Sequence, residues 1–374
     1  MGRSDAERLK FQLFAHGMTI AQTARQAIAE RLGDTPLSSA DFASTSGIIL
    51  RLDDAVWVNA PLSTFNPNFV GESPYILERV GDEFVVSGLG LASRACLWLQ
   101  PAYHGATNSS GRRLNDFVVT HGDRVRLSPV QGCGMVCTFC DVPYGDRYGI
   151  KPVDEMLGAL SAALRDPVQP ARHVLVSGGT PKSGDVPWLR DVYRAVLTAF
   201  PEVPVDIMMT PVPGLLEVLE LRDLGVNELS INLELFSDDA ARRLMPQKYR
   251  AGRAQYLAFI ANAAGVLGLG RVRSMLMVGL EPSDQTLLGV RAIVEHGGVP
   301  VLSPFRPDPQ TPLASTSPPS AAQLEDIFDR AEEIVTGAGL RLGPSCLPCT
   351  HNTLTLGTHD SWLPGTRDVE PLLI

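Results

Sequence analysis

The sequence lacks any stretch of about 18 uncharged apolar residues, the length that a membrane-spanning helix needs. Charged residues such as Arg3, Asp5 and Glu7 stand where a secretory signal peptide would carry its apolar core. Basic residues are also scarce, because 32 Lys and Arg face 41 Asp and Glu, for a net charge of -9. Affinity for nucleic acid depends on clustered Lys and Arg, so this balance argues against a broad nucleic-acid surface and leaves open only a local basic patch. We expect a cytoplasmic protein without a membrane or nucleic-acid partner.

Cysteine is rare as well, with six in 374 residues, and five of the six fall into two tight groups. In a reducing compartment such grouping favours metal or cluster binding over disulfide bonds. Disulfides are not needed for folding, since 44% hydrophobic and 20% charged residues are ordinary values for a protein with a buried core. The groups are Cys133 with Cys137 and Cys140, and Cys346 with Cys349, while Cys96 stands alone.

Three regions with different residue patterns follow one another along the chain. Residues Ser4 to Leu32 repeat apolar side chains at helical spacing, which predicts one or two amphipathic helices. From Gly47 to about Thr120, short apolar runs alternate with Gly, Pro and Asn, as in a small β-rich subdomain. After Arg124, six β-like runs alternate with helical patterns. The runs are Val125 to Leu127, His173 to Val176, Val205 to Met208, Glu228 to Ile231, Arg273 to Val278 and Pro300 to Leu302.

Strands that alternate with helices form a parallel sheet with right-handed crossovers. The alternation by itself allows either a partial barrel or an open doubly wound sheet. Barrel folds run to about 250 residues as one domain, so the length favours one large catalytic domain with additions at both ends. The predicted helices are Val153 to Arg165, Val186 to Phe200, Leu215 to Leu224, Asp238 to Leu244 continuing through Arg253 to Leu267, Ser283 to His296, and Ala321 to Gly337.

A cysteine-containing loop follows the first of the six runs directly. Its three cysteines, Cys133, Cys137 and Cys140, are spaced C-x3-C-x2-C. Three thiolates this close can bind three irons of a cubane cluster and leave the fourth iron without a protein ligand, open for chemistry. A structural zinc site would need a further Cys or His nearby, and none occurs between Cys140 and His173. A partial zinc site and a coincidental spacing are the alternatives.

The loop resembles the signature of the radical S-adenosylmethionine (SAM) superfamily, including Phe139 as the aromatic residue before the last cysteine. The resemblance covers residues 124–305. It implies a [4Fe-4S] cluster whose fourth iron is chelated by the amino and carboxylate groups of SAM, with Phe139 near the adenine. Electron transfer to SAM then gives methionine and a 5'-deoxyadenosyl radical that abstracts a substrate hydrogen atom.

With this resemblance we expect an α/β fold built as a partial (β/α)6 TIM-type barrel. The barrel is predicted over residues 123–315. A helical and β-rich extension precedes it over 1–122, and a C-terminal helix with a cysteine-containing tail follows over 316–374.

The second run ends in Ser177-Gly-Gly-Thr180, which resembles the superfamily's glycine-rich motif, whose backbone meets the amino group of SAM. Two glycines let the backbone approach a ligand closely, although a tight βα turn explains them equally. Thr180 stands where many members have Glu. The resemblance implies that Ser177, Gly178, Gly179 and Thr180 bind SAM.

Asn232 and Glu234 end the fourth run two residues apart, hence on one face of a strand. They resemble the N-x-E segment with which biotin and lipoyl synthase relatives contact the ribose and methionyl parts of SAM. The alternative is a polar pair before the next helix. Arg243 in that helix is a candidate partner for the SAM carboxylate or a solvated arginine, and Gly279 resembles the glycine motif beside adenine or marks a plain turn.

The tail carries Cys346 and Cys349, spaced C-x2-C, and then His351. These three ligands suffice for an auxiliary iron-sulfur cluster, or for zinc with another donor, and Cys96 or His104 could complete the set. A structural or reactive thiol pair is the alternative. A centre that donates sulfur or anchors substrate requires the tail to fold over the barrel mouth.

No residue in the sequence identifies the substrate, and no catalytic residue is assigned. We expect a small-molecule substrate, with sulfur insertion or rearrangement in specialised metabolism, and a reductase, flavodoxin or ferredoxin as electron donor. Peptide modification, with the N-terminal region as a recognition module, and a nonenzymatic iron-sulfur or zinc protein are the other hypotheses. Arg306 and Asp308 follow the sixth run, either to bind substrate or to form a surface salt bridge.

Overall fold

The computed structural model of the chain describes residues 2–31, 47–66, 69–145, 147–357 and 373–374. Its first elements are α1 (Asp5–His16), β1 (Thr19–Ile20) and α2 (Gln22–Arg31). A capping box starts α1, because the Ser4 hydroxyl accepts the N–H of Glu7 while the Glu7 carboxylate accepts the N–H of Ser4. The helices predicted from Ser4 are therefore present, and their predicted end, Leu32, lies outside the described residues.

A six-stranded sheet follows these helices in the chain. It has the order β1-β4-β5-β6-β2-β3 and is antiparallel except between β1 and β4. Helix α1 packs against β3 and β6, with Leu9, Leu13 and Phe14 fully buried. The added strands are β2 (Gly47–Leu52), β3 (Val56–Pro61), β4 (Ile76–Val80), β5 (Glu83–Gly88) and β6 (Leu91–Leu97).

The larger part of the chain forms a seven-stranded sheet with helical crossovers, in the order β15-β14-β13-β12-β11-β8-β7. The first of its elements are β7 (Val118–His121), β8 (Arg124–Leu127), β9 (Val130–Gln131), α3 (Val142–Gly145), β10 (Gly149–Ile150), α4 (Val153–Leu164), β11 (His173–Val176), α5 (Val186–Ala199) and β12 (Val205–Met208). The others are α6 (Val218–Asp223), β13 (Glu228–Ser230), α7 (Asp238–Leu244), α8 (Pro246–Ala251), α9 (Arg253–Leu267), β14 (Val272–Val278), α10 (Ser283–Glu295), β15 (Val299–Pro304) and α11 (Ala321–Gly337).

Six strands of this sheet are parallel, from β8 to β15, and the sheet curls as a half barrel. The predicted partial TIM-type barrel is therefore confirmed. Each predicted β run forms one strand, and short strands such as β11 are buried along their whole length, as expected of a parallel sheet covered on both faces. The helical stretch predicted from Asp238 through Leu267 is divided into α7, α8 and α9, and the sequence did not reveal β7, which pairs antiparallel with β8 at the edge of the sheet.

The C-terminal tail runs along the free edge of β15 and then crosses to the other side of the barrel. The N–H of Gly343 donates to Pro300 O at 2.9 Å, and the N–H of Leu354 donates to Leu302 O at 2.9 Å. Between these two anchors, Pro348 packs against Gly122 in the turn between β7 and β8. Within the described ranges, no helix combines the length and the apolar character needed to cross a lipid bilayer.

Candidate active site

The cysteine loop begins at the carboxyl end of β8 and is closed by the short antiparallel pair β9 and β10. It docks on the loop that follows β11. The Sγ of Cys133 accepts the N–H of Thr180 at 3.2 Å and that of Met135 at 3.3 Å. The N–H of Gly134 donates to Thr180 O at 2.8 Å. Thr180, which was predicted to bind SAM, thus contacts the first cysteine through its backbone N–H.

Gly179 is the position where the two loops come closest. A Cβ added there would lie 1.8 Å from Gly132 O and 2.8 Å from the Cα of Cys133. Gly178 beside it has φ +141°, a conformation that L side chains rarely adopt. The paired glycines therefore serve the packing of the cysteine loop, a role that the sequence did not suggest.

The other two cysteines face an apolar cluster that includes Leu235, Leu244 and Met245, and Phe139 packs against the same cluster. Burial raises the pKa of Cys137 to about 11, and burial also raises that of Cys140 to about 12. Coordination to iron would deprotonate both thiols outright.

Backbone contacts attach this half of the loop to the helices after β13. The N–H of Thr138 donates to Leu244 O at 2.9 Å, and the N–H of Val136 donates to Gln247 Oε1 at 3.3 Å. The cysteine loop is therefore held on one side by the loop after β11 and on the other by α7 and α8.

Glu234 lies just beyond the carboxyl end of β13 with φ +66° and bridges to β14, since its N–H donates to Met275 O at 2.8 Å. Lys248 donates to Glu234 Oε1 at 2.9 Å, and both side chains are only about one-tenth exposed. Burial by itself lowers the pKa of Lys248, but the Glu234 carboxylate outweighs it and the pKa is raised. The second oxygen, Oε2, is buried without a hydrogen-bond partner. It is a ready acceptor for the hydroxyl groups of a ligand.

Lys248, which lies in α8, was not predicted as a site residue from the sequence. Asn232, which was predicted, points its Oδ1 into the protein, where it accepts from Ser230 Oγ at 2.8 Å and from the N–H of Met275 at 3.2 Å. Glu281 was also not predicted as a site residue from the sequence. Its carboxylate accepts the N–H of Phe236 at 2.9 Å and that of Ser237 at 2.6 Å, so it fixes the chain after Glu234.

The remaining predicted positions have other surroundings. Ser177 starts the glycine loop and donates its N–H to Leu127 O at 2.9 Å, whereas Arg243 is exposed on α7. Gly279 has φ +104°, and a Cβ there would lie 2.7 Å from Pro319, so packing explains this glycine without a ligand. Arg306 donates to Asn59 O and to Asn352 Oδ1, both at 3.1 Å, and so connects β3 with the tail.

The second cysteine pair is part of a buried group with Asp123 and His173, whose four ligand atoms lie within 4.8 Å of one another. His351, which was predicted as a ligand, is not in this group. Its Nδ1 contacts Pro348 O at 2.6 Å, and its ring faces that of His121 at 6.2 Å. Cys96 and His104, the suggested fourth ligands, are not in the group either.

The two cysteine sites lie at opposite ends of the barrel. Asp123 and His173 precede or begin β8 and β11, at the amino ends of these strands, whereas Cys133 follows the carboxyl end of β8. A strand of four residues is roughly 13 Å long. The expectation that the tail folds over the barrel mouth is therefore wrong, because the tail instead packs at the amino ends.

Residues 127–292, from the last residue of β8 into α10, match the profile of the Radical SAM superfamily. The chain contains a radical SAM domain. The predicted superfamily and the assignment as an enzyme are confirmed, and the superfamily implies a [4Fe-4S] cluster and SAM. The likeness of Asn232 and Glu234 to biotin and lipoyl synthases stays a prediction.

Several solved structures are similar to this chain in fold. A radical SAM methyltransferase from Sphaerobacter thermophilus is 14% identical, with 76% of this chain and 81% of that chain covered and a TM-score of 0.47. SuiB from Streptococcus suis, bound to S-adenosylmethionine, is 13% identical, with 63% and 53% covered and a TM-score of 0.47. Coproporphyrinogen III oxidase (HemN) from Escherichia coli is 20% identical, with 59% and 54% covered and a TM-score of 0.41. No curated protein matches the sequence.

The donors of the site fit a [4Fe-4S] cluster and SAM. Three cysteines in one loop supply three thiolates and leave one iron for SAM. The buried, unpartnered Oε2 of Glu234 supplies an acceptor beside them, and the charges of Glu234 and Lys248 both act on the Cys137 thiol. A charged, hydrogen-bonding ligand therefore finds partners next to the cysteine loop.

Proposed function

We propose that this radical SAM enzyme cleaves SAM reductively and abstracts a hydrogen atom from a small-molecule substrate. The observation that carries the proposal is the position of the cysteine loop beside the buried Glu234 and Lys248, at the carboxyl ends of the strands. Ligands of α/β and barrel enzymes bind at that end. When bound, the cluster with SAM supplies one-electron cleavage of a C–S bond and a 5'-deoxyadenosyl radical.

The residues around the loop have distinct roles in this proposal. Cys133, Cys137 and Cys140 hold the cluster. Glu234 accepts hydrogen bonds from the ribose hydroxyls through Oε2, and Lys248 neutralises and orients its carboxylate. Phe139 and the apolar cluster around it exclude water from the adenine side.

Two features of the fold favour a small molecule over a peptide. Recognition of a peptide by strand addition requires a free sheet edge. In the N-terminal sheet the edge strand β1 has two residues, and the other edge strand, β3, packs against Pro348–Asn352 of the tail. An exogenous flavodoxin or ferredoxin with its reductase supplies the electron. Sulfur donation by Cys346 and Cys349 is not part of the proposal, because they lie at the opposite end of the barrel.

The test is anaerobic reconstitution of the full chain with iron and sulfide, followed by addition of SAM and dithionite. We expect 5'-deoxyadenosine from the wild type and none from Cys133→Ala, Cys137→Ala or Cys140→Ala. Cys96→Ala is the matched control, since Cys96 lies in β6 of the other sheet, and it should keep wild-type activity. An intact cluster that forms no 5'-deoxyadenosine would contradict the enzyme and favour a nonenzymatic iron-sulfur protein.

A further inference from the structure

Four side chains from three separate parts of the chain meet at the amino ends of the barrel strands. They are Asp123, His173, Cys346 and Cys349, and each residue is between 3% and 8% exposed. The Sγ of Cys349 lies 3.4 Å from His173 Nε2, and the Sγ of Cys346 lies 3.1 Å from Asp123 Oδ1. His173 Nε2 lies 3.4 Å from the same oxygen of Asp123. Two sulfurs, one imidazole nitrogen and one carboxylate oxygen therefore point at one place.

Three buried carboxylates lie around this place. Asp123, Asp206 and Glu228 are buried carboxylates, and Arg273 bonds two of them at 2.8 Å, through Asp206 Oδ2 and Glu228 Oε2. Arg273 does not reach Asp123 in these contacts. Buried carboxylates are costly unless a cation or hydrogen bonds compensate them. A divalent ion at the four side chains would compensate Asp123 and two thiolates together.

We propose that Asp123, His173, Cys346 and Cys349 bind one Zn²⁺ as a closed, structural site that fastens the C-terminal tail to the barrel. Zn²⁺ binds Cys sulfur, His nitrogen and Asp oxygen, and a structural site has four protein ligands, which leave no open position for substrate. A single ion fits because all four ligand atoms lie within 4.8 Å of one another. This inference does not depend on the proposed radical reaction.

Metal binding changes the geometry of the cysteine pair in a definite way. The two Sγ atoms lie 2.7 Å apart in the metal-free arrangement. Tetrahedral zinc with Zn–S bonds of about 2.3 Å holds two sulfurs about 3.8 Å apart, so the thiols separate by about 1 Å. Both cysteines bind Zn²⁺ as thiolates, and any thiol proton passes to solvent as the ion binds.

The surroundings of His173 match those of a metal-bound histidine. Its Nε2 faces the cysteines, and its Nδ1 lies 3.9 Å from Asp206 Oδ2, on the side where an outer carboxylate usually orients the ring. Asp206 is held in turn by Arg273 at 2.8 Å and by Asn227 Nδ2 at 2.7 Å. A small movement of the His173 ring toward Asp206 would bring Nδ1 within hydrogen-bond distance of Oδ2 and complete the carboxylate–histidine–zinc arrangement.

The decisive experiment separates this site from the radical SAM cluster. The full-length Cys133→Ala/Cys137→Ala/Cys140→Ala variant, purified under reducing conditions and supplied with ZnCl₂, should hold about one equivalent of zinc after desalting. The Cys346→Ala/Cys349→Ala variant should lose that zinc and still make 5'-deoxyadenosine. Co²⁺ in place of zinc should give thiolate-to-cobalt charge-transfer absorption in the first variant.

The two neighbouring histidines provide a matched pair for the ligand assignment. His173→Ala should lose at least tenfold in zinc affinity, as expected for loss of a ligand, whereas His351→Ala should keep wild-type affinity. Reduced wild-type protein that takes up neither Zn²⁺ nor Co²⁺ would overturn the proposal, and this measurement needs no variant. Iron and sulfide retained by the triple variant would overturn it in favour of a second cluster, and a Cys346–Cys349 disulfide in freshly purified protein would overturn it in favour of a redox pair.

Discussion

Glu234 combines a strained backbone, a buried ion pair and an unpartnered oxygen in one residue. A non-glycine residue at φ +66° costs on the order of 1 kcal/mol, and such residues persist where the surroundings fix them. Here the hydrogen bonds to Met275 and Met277 hold the backbone, and Lys248 holds one carboxylate oxygen. The backbone and the ion pair therefore fix the carboxylate and leave its second oxygen without a hydrogen-bond partner.

Replacement of Glu234 tests this reading at the level of the residue. Glu234→Ala leaves Lys248 as an unpaired buried charge, and we expect a loss of about 3 kcal/mol in the free energy of unfolding, measured by urea denaturation. SAM affinity should fall roughly 10- to 100-fold by equilibrium dialysis, because a hydrogen bond to a charged group is lost, while cluster iron stays unchanged.

The double variant Glu234→Ala/Lys248→Met is the control for the buried charge. It removes the unpaired cation and should recover much of the stability without recovering SAM affinity. Restored SAM affinity in the double variant would mean that Glu234 acts only by pairing with Lys248. Unchanged affinity in Glu234→Ala would remove it from the SAM site altogether.

Two loops, those after β8 and β11, depend on each other at the level of secondary-structure elements. The first has little secondary structure of its own between β9 and β10, so its conformation comes from contacts with the second. Those contacts centre on Gly179, where no side chain fits. The cysteine spacing alone does not fix the relative positions of the three thiols.

Gly179→Ala should therefore displace the cysteine loop. We expect the variant to fold, because the change is at a loop, but to hold less than half of the wild-type cluster iron after reconstitution. Gly184→Ala is the matched control, since a Cβ there meets nothing within 4 Å. Wild-type iron content in Gly179→Ala would show that the loops can separate without loss of the cluster.

Helix α1 and the C-terminal tail contact each other and connect the two sheets of the molecule. Lys10 of α1 is fully buried, and its Nζ donates to Thr350 O at 3.0 Å and to Thr355 O at 2.6 Å in the tail. Burial lowers the pKa of Lys10 well below its usual value. Leu97 at the end of β6 also pairs with Ile374, at 2.7 and 3.0 Å. The tail thus joins the N-terminal sheet to the barrel.

Lys10 gives this junction a pH dependence with a definite sign. Since the pKa is lower in the folded protein, the unfolded chain binds more protons, and the contribution of Lys10 to stability rises with pH up to about 10.4. The wild type minus Lys10→Met difference in unfolding free energy should grow from pH 7.5 to 9.5, by at most about 1.4 kcal/mol per pH unit. If this difference in unfolding free energy stays constant or falls as the pH rises, the conclusion that Lys10 has a lowered pKa in the folded protein is wrong. Lys182→Met, at an exposed position, should show no such growth.

The strands of the barrel and the cysteine loop could be predicted from the order of residues alone. The strands β8 and β11 to β15 are runs of three to seven residues that alternate with helices, which is the pattern of a parallel sheet, and the C-x3-C-x2-C spacing lies within one loop. Both are local features, so the order of residues encodes them directly.

The grouping of distant residues into one site could not be predicted from the sequence. His173 replaces His351 in the group with Cys346 and Cys349, because the tail crosses to the amino ends of β8 and β11 and not to the barrel mouth. Lys248 meets Glu234 because α8 turns back over the end of β13. A buried charge or thiol needs a partner nearby in the folded protein. Which residue becomes that partner depends on how the chain packs, and the spacing of residues in the sequence does not predict it.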